Sequence, residues 1–293
     1  MLAYAPSGTS IQNASLQPRH CNLQVKSACH RDLRQSSKKK RMPAVDLVEA
    51  TFLRSGRRFE PVHELELHAG LISAASALPG ASAGVLLISE MRGPIGIPDF
   101  TAIVGGKTQL MNRRATGIAP ILSPLDASIV VRLHLNRPRK LSSIAADVSM
   151  SEGATSARLR TLLRSGAVCE PSPGRFTRNS ALSPGGTLYA IEAKVRDWKK
   201  AAQQSRRYRV WTNNYVLALG PLSEPAQRQA MGEVAQDFAG LVVNGKWLRK
   251  PTPKPVGALN RFLAFEYVAA ALFQDQPSSD MNWSSPASSE DIH

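Results

Sequence analysis

Thr187-Leu188-Tyr189-Ala190-Ile191-Glu192-Ala193-Lys194-Val195 decides how this 293-residue chain is read. Its apolar and aromatic mix predicts a strand. Period-2 geometry then puts Glu192 and Lys194 on one face, with Ala193 pointing the other way. A helix is expected next over Asp197–Arg209, opening on Trp198-Lys199-Lys200, and then an apolar strand over Asn214–Leu219. Charged residues in a strand this apolar ask for a reason, although a Glu-x-Lys step is ordinarily a solvated face.

Upstream, Val62–Leu78 reads as a helix with Leu65, Ala69, Ile72 and Ser76 on one face, stopped by Pro79-Gly80. Val85–Glu90 and Ile97–Val104 read as two strands joined through Gly93-Pro94, the second ended by Gly105-Gly106. Asp99 falls inside that second strand. Downstream, a helix is expected over Ser223–Phe238, capped by Ser223 with Glu224 in its first turn. Short strands follow at Gly240–Val243 and Trp247–Leu248, then a last helix at Val256–Phe273.

The stretch between the two charged strands has another pattern. Helices are expected at Leu125–Leu135, at Ser142–Val148 with a serine cap, and at Thr155–Ser165 with Leu159, Leu162 and Leu163 inward. Gly166 stops the third, and Ala167–Arg178 reads as a hairpin around Pro173-Gly174. Helix, helix, turn, helix, hairpin is the order of a winged helix-turn-helix. The third helix would offer Ser156, Arg158, Arg160 and Arg164 to DNA, and the hairpin Arg175 and Arg178. Arg137, Arg139 and Lys140 precede the second helix.

Phosphodiester hydrolysis needs a divalent cation, an activated water and charge stabilisation at phosphate. Magnesium takes hard oxygen ligands, usually one or two carboxylates plus water and phosphate oxygens. Asp99 and Glu192 supply two carboxylates, the Ala193 carbonyl could add an oxygen, and Lys194 would sit beside the water or the phosphate. Gly96-Ile97-Pro98-Asp99, Glu192-Ala193-Lys194 and the pair Gln204 and Tyr208 resemble, in this order, the motifs of the PD-(D/E)xK nuclease superfamily, RecB-like branch. The resemblance covers roughly residues 60–110 and 185–250. It implies an α/β fold: a restriction-endonuclease-like mixed sheet flanked by helices, with an inserted winged-helix domain. It also implies magnesium or manganese as cofactor, and Gln204 and Tyr208 as residues that support the site and contact DNA.

Asp99 and Glu192 are 93 positions apart. An insertion at 118–182, inside a discontinuous nuclease-like domain of 42–117 and 183–273, would accommodate that distance. The resemblance also implies that a further carboxylate often joins the site, for which Glu64, Glu66 and Glu90 are candidates, with the choice open.

The composition fits a polyanionic partner. There are 37 basic against 22 acidic residues, a formal net charge of +15. Residues 1–41, with a basic cluster ending at Arg41, and residues 274–293 are expected to be disordered. Cys21, Cys29 and Cys169 form no C-x-x-C pair, so no structural zinc is expected, and so few thiols suit a reducing cytoplasm. The six histidines show no ligand spacing, and no apolar run suggests a membrane span. The functional expectation is a magnesium-dependent DNA endonuclease, a phosphodiester hydrolase. The alternative is a DNA-binding transcriptional regulator built on a degenerate nuclease scaffold. A homodimer would bring the two active sites that cutting both strands takes.

Overall fold

Alternation of apolar side chains along short strands builds the centre of the molecule. The computed structural model describes residues 45–49 and 62–273, without the side chains of Glu49 and residues 62–66. The two expected disordered tails, Cys21, Cys29, His20, His30, His293 and the side chains of His63, Glu64, Leu65 and Glu66 lie outside the described residues.

In chain order, β1 (Val45–Glu49) is followed by α1 (Val62–Ala75), β2 (Val85–Ser89), β3 (Phe100–Val104) and α2 (Lys107–Ala115). Then come α3 (Pro124–Arg132), β4 (Arg139–Lys140), α4 (Leu141–Asp147), α5 (Glu152–Arg164), β5 (Val168–Ser172) and β6 (Arg175–Arg178). The chain continues with β7 (Thr187–Lys194), α6 (Trp198–Tyr208), β8 (Asn214–Leu219), α7 (Glu224–Gln236), β9 (Gly240–Val243), β10 (Lys246–Arg249) and α8 (Ala258–Phe273). Among the described residues these form a mixed sheet in the order β1-β2-β3-β7-β8-β9-β10, flanked by helices, and a small sheet in the order β4-β6-β5.

β2, β3 and β7 run as an antiparallel meander, with Ile103 opposite Leu188 and Phe100 opposite Ile191. β7 then pairs in parallel with β8, the crossover being α6. The two faces of the large sheet bury different sets. Leu86, Ile103, Leu188, Ala190 and Leu217 pack against α6, α7 and α8. Leu87, Ala102, Tyr189, Ile191 and Val216 pack against Leu71, Ala74 and Leu78 from α1 and the turn after it. Each set holds alternate positions of its strands, as the pleat requires.

Residues 118–182 have their own apolar cluster: Ile129 and Val130 of α3, Ile144 of α4, Leu159 and Leu162 of α5, and Phe176 of β6. Phe262 and Leu263 of α8 complete that cluster, while Ala264, Phe265 and Val268 of the same helix belong to the core of the large sheet. Beside this junction, Glu266 accepts from Arg113 Nη2 at 2.8 Å and from the Ile121 N–H at 2.7 Å. Both side chains of the Arg113–Glu266 pair are 0% exposed.

Several local expectations need correction. β1 and α2 were not expected, and β3 begins at Phe100, leaving Asp99 in a bend before it. Pro98 has no N–H to give a ladder, so pairing starts later. The buried face of α1 carries Leu71, Ala74 and Ala75, whereas Ala69 is exposed. An alanine-rich helix leaves its apolar face ambiguous, and the sheet decides it. α4 starts after Lys140 with no side-chain cap, and Ser223 precedes α7 without a side-chain cap bond. Leu163 is half-buried, in contrast to fully buried Leu159 and Leu162.

Candidate active site

β7 delivers two of the site residues because of its alternation. Leu188, Ala190, Glu192 and Lys194 share the face toward α6, and the first two lie in its core. Glu192 is 0% exposed and Asp99 3%. Burying carboxylates costs several kcal/mol unless they are paired and hydrogen-bonded, so the surroundings must supply partners.

For Asp99 those partners start with the loop before β3. Gly93 donates its N–H to the Gly96 carbonyl at 3.0 Å, closing a tight turn. A Cβ on Gly93 would lie 2.4 Å from the Trp211 ring, and Gly96, at φ 73°, would put one 2.9 Å from the Tyr208 ring. Trp211 Nε1 donates to the Ile95 carbonyl at 3.0 Å. Tyr208 Oη lies 3.1 Å from the Ile97 carbonyl. The two aromatic residues thus hold the loop down, and Asp99 emerges at its end. There Asp99 Oδ2 accepts the Ala193 N–H at 2.7 Å, and the Asp99 carbonyl accepts the Glu90 N–H at 2.8 Å.

Lys194 joins the two carboxylates. Its Nζ is 3.6 Å from Glu192 Oε1 and 3.9 Å from Asp99 Oδ2, and its side chain is 22% exposed. Because both oxygens touch one ammonium, they lie within the limit of about 8 Å beyond which they could not share an ion.

The other Glu192 oxygen faces α6. Tyr208 Oη is 3.1 Å from Glu192 Oε2. Its single proton goes either to that carboxylate or to the Ile97 carbonyl. Gln204 Nε2 donates to Tyr208 Oη at 2.9 Å. Spacing of four on a helix makes the Gln204–Tyr208 contact possible. Burial, and next the negative charge of Glu192, push the Tyr208 phenol far above its ordinary pKa, so it stays protonated and able to donate.

Asp99, Glu192, Lys194, Gln204 and Tyr208 therefore come together. Ala193 takes part through its N–H, which binds Asp99, while its methyl lies in the opposite core with Ile191. Glu90 is a backbone neighbour of Asp99 and carries a left-handed φ of 46°. The donor set suits magnesium or manganese: two hard-oxygen carboxylates, where magnesium commonly takes one or two. Among the described residues no group of three or more His, Cys, Asp or Glu side chains converges for a metal. Trp211 and the Ile95 and Ile97 carbonyls were not anticipated from the residues alone. The usable signal was a tryptophan one turn after Tyr208 combined with glycines at 93 and 96.

The arginines expected to meet DNA are differently placed. Arg158 Nη1 is bonded to Asp126 Oδ1 at 2.8 Å. Arg164 reaches the Thr161 hydroxyl at 3.3 Å, and Arg160 and Arg175 are exposed. Ser156 is half-buried, as is Arg178, whose pKa burial lowers. Among the described residues no helix is long and apolar enough to cross a membrane. No protein-family profile, curated protein or solved structure matches this chain.

Proposed function

We propose that this chain is a metal-dependent deoxyribonuclease of the PD-(D/E)xK kind, with a restriction-endonuclease-like sheet and an inserted winged helix that positions it on DNA. The observation that carries the reading is the contact of one ammonium, Lys194 Nζ, with carboxylate oxygens from two segments 93 positions apart. The antiparallel β2-β3-β7 meander followed by the β7-α6-β8 parallel crossover supports it. So does the order of three helices, a short strand and a hairpin within 118–182.

In this reading Asp99 and Glu192 hold magnesium or manganese, which would polarise the scissile phosphate and acidify a bound water. Lys194 places positive charge where negative charge develops on the phosphate in the transition state. The Ala193 N–H fixes Asp99, and Tyr208, oriented by Gln204, fixes Glu192. A turn pinned by Trp211 keeps the first carboxylate from drifting, which matters because catalytic groups must hold position within a fraction of an ångström.

The test is incubation of purified protein with supercoiled, linear and single-stranded DNA plus Mg²⁺ or Mn²⁺, beside Asp99→Ala and Lys194→Ala. Wild-type protein should cut. Lys194→Ala should lower turnover by about 10²–10³-fold, the usual loss for one transition-state charge stabiliser, and Asp99→Ala should lower it at least as much. No cutting by wild type, or equal cutting by the variants, defeats the proposal. A second reading, a DNA-binding regulator with a silent nuclease scaffold, draws on the full burial of Glu192 and near-full burial of Asp99. It expects DNA binding with no metal-dependent cutting.

A further inference from the structure

A cleft of about 660 Å³ opens between the end of α3, the segment 133–138, β4 and the start of β6. Arg132, Arg137, Arg139, Lys140 and Arg175 line it, against a single carboxylate, Asp147. That carboxylate is already engaged. Arg139 Nη1 donates to Asp147 Oδ2 at 2.6 Å and to the Arg132 carbonyl at 3.0 Å. Arg132, Arg137, Lys140 and Arg175 are exposed and make no ion pair among the described residues.

The backbone adds a second observation. Lys140 and Arg175 are direct partners in the antiparallel pairing of β4 with β6. Like charges directly opposite on neighbouring strands destabilise a sheet. Here they sit on β4, a strand of two residues with little ladder to spare. A bound anion would turn this repulsion into attraction.

The exposed face of α5 offers less. Arg158 is tied to Asp126 and Arg164 to Thr161, and Glu152 opens the helix with negative charge. Among the described residues Arg160 is the α5 arginine left with neither an ion pair nor a side-chain hydrogen bond.

We infer that this cleft, rather than the exposed face of α5, is the principal grip on the phosphate backbone of duplex DNA, through Arg137, Lys140 and Arg175. The inference rests on the DNA-directed reading above and assigns its main contact to a different surface. The chain's formal charge of +15 favours a polyanion over a small anion, and binding energy concentrates where cations have no internal partner.

The experiment is fluorescence anisotropy of labelled duplex DNA with the full chain, in chelator to prevent cutting, across a salt series. The variant Arg137→Ala/Lys140→Ala/Arg175→Ala should bind about tenfold or more weakly. Its plot of log affinity against log salt should be shallower by about three, since each lost phosphate contact removes close to 0.9 from the slope. Arg160→Ala/Arg164→Ala should lose less, and Arg137→Lys/Arg175→Lys should keep most of the affinity because phosphate attraction follows charge. Wild-type affinity and slope in the triple alanine variant overturn the inference, as does a larger loss in the α5 variant. Tighter binding of free inorganic triphosphate than of duplex also overturns it. A triple variant that binds normally while Asp99→Ala still abolishes cutting defeats the cleft alone. Wild-type protein that binds no duplex defeats the cleft and the DNA-directed reading together.

Discussion

Around the large sheet, charged side chains are buried or half-buried and committed to partners: Asp99, Glu192 and Lys194 at one end, Arg113 and Glu266 beside α8, and Asp237 held by Arg206, Arg209 and Tyr215. In residues 118–182 the balance is reversed. There Arg132, Arg137, Lys140 and Arg175 stand in solvent, and two of them face each other across a strand pair. Buried charge that is fully engaged fixes geometry, and its loss should appear as lost folding or lost chemistry. Exposed charge without an internal partner contributes little to stability and should register in what the protein binds. One chain uses the same residue types for both purposes, and burial decides which.

The sharpest way to break this contrast is at Glu266. Glu266→Ala leaves the Arg113 guanidinium buried without its carboxylate and the Ile121 N–H without its acceptor. Removing one partner of a buried pair typically costs about 3–5 kcal/mol. Chemical denaturation should show a loss of that order, and a loss below about 1 kcal/mol would mean the interior tolerates isolated charge.

Asp237 comes next, and it brings a pH signature. Burial alone would raise its carboxyl, but hydrogen bonds from Arg206 and Tyr215 and the nearby guanidinium charges outweigh burial and hold it below the usual carboxylate range. A depressed folded-state pKa adds stability that is fully present above the unfolded value, near pH 4, and is lost as pH falls through the folded value. Asp237→Asn should cost about 1.5–3 kcal/mol at neutral pH, the range for hydrogen bonds to a charged group. The gap from wild type should narrow in melts carried below pH 4. A gap that stays constant with pH would assign the effect to packing.

The smallest expected effect is on the other side of the comparison. Arg175→Ala removes one of two facing cations, so stability in chemical denaturation should hold or rise slightly, by no more than a few tenths of a kcal/mol. A clear fall would show that the basic cleft helps hold the fold.

The same contrast explains how far the sequence could be read. β7, α6 and β8 were legible because their alternation and helical spacing are local. The meeting of Asp99 and Glu192 depended on pairing β3 with β7 across 93 positions, and treating 118–182 as a folded unit between them made that pairing reasonable. α2 escaped notice because its buried residues are Leu110 and Arg113. An arginine reads as surface until its partner is known, and Glu266 lies 153 residues away. α1 was placed, and of its expected face Ile72 packs on the core and Ser76 is buried, but Ala69 is exposed and Leu71, Ala74 and Ala75 carry most of the burial. The turn contacts at the site stayed hidden because Trp211 binds a backbone carbonyl, which leaves no mark on residue identity. The arginines of α5 looked available in the sequence because Asp126, which occupies Arg158, is 32 positions earlier.

α8 supplies Phe262 and Leu263 to one apolar cluster and Ala264, Phe265 and Val268 to the other. Neither region can melt without stripping side chains from the same rod. Cooperativity follows: the two should unfold in a single transition, with calorimetric and van't Hoff enthalpies in agreement. Residues 118–182 expressed without α8 would have an unsealed core. The segment interrupts the sheet domain in the chain, but energetically it behaves as part of it.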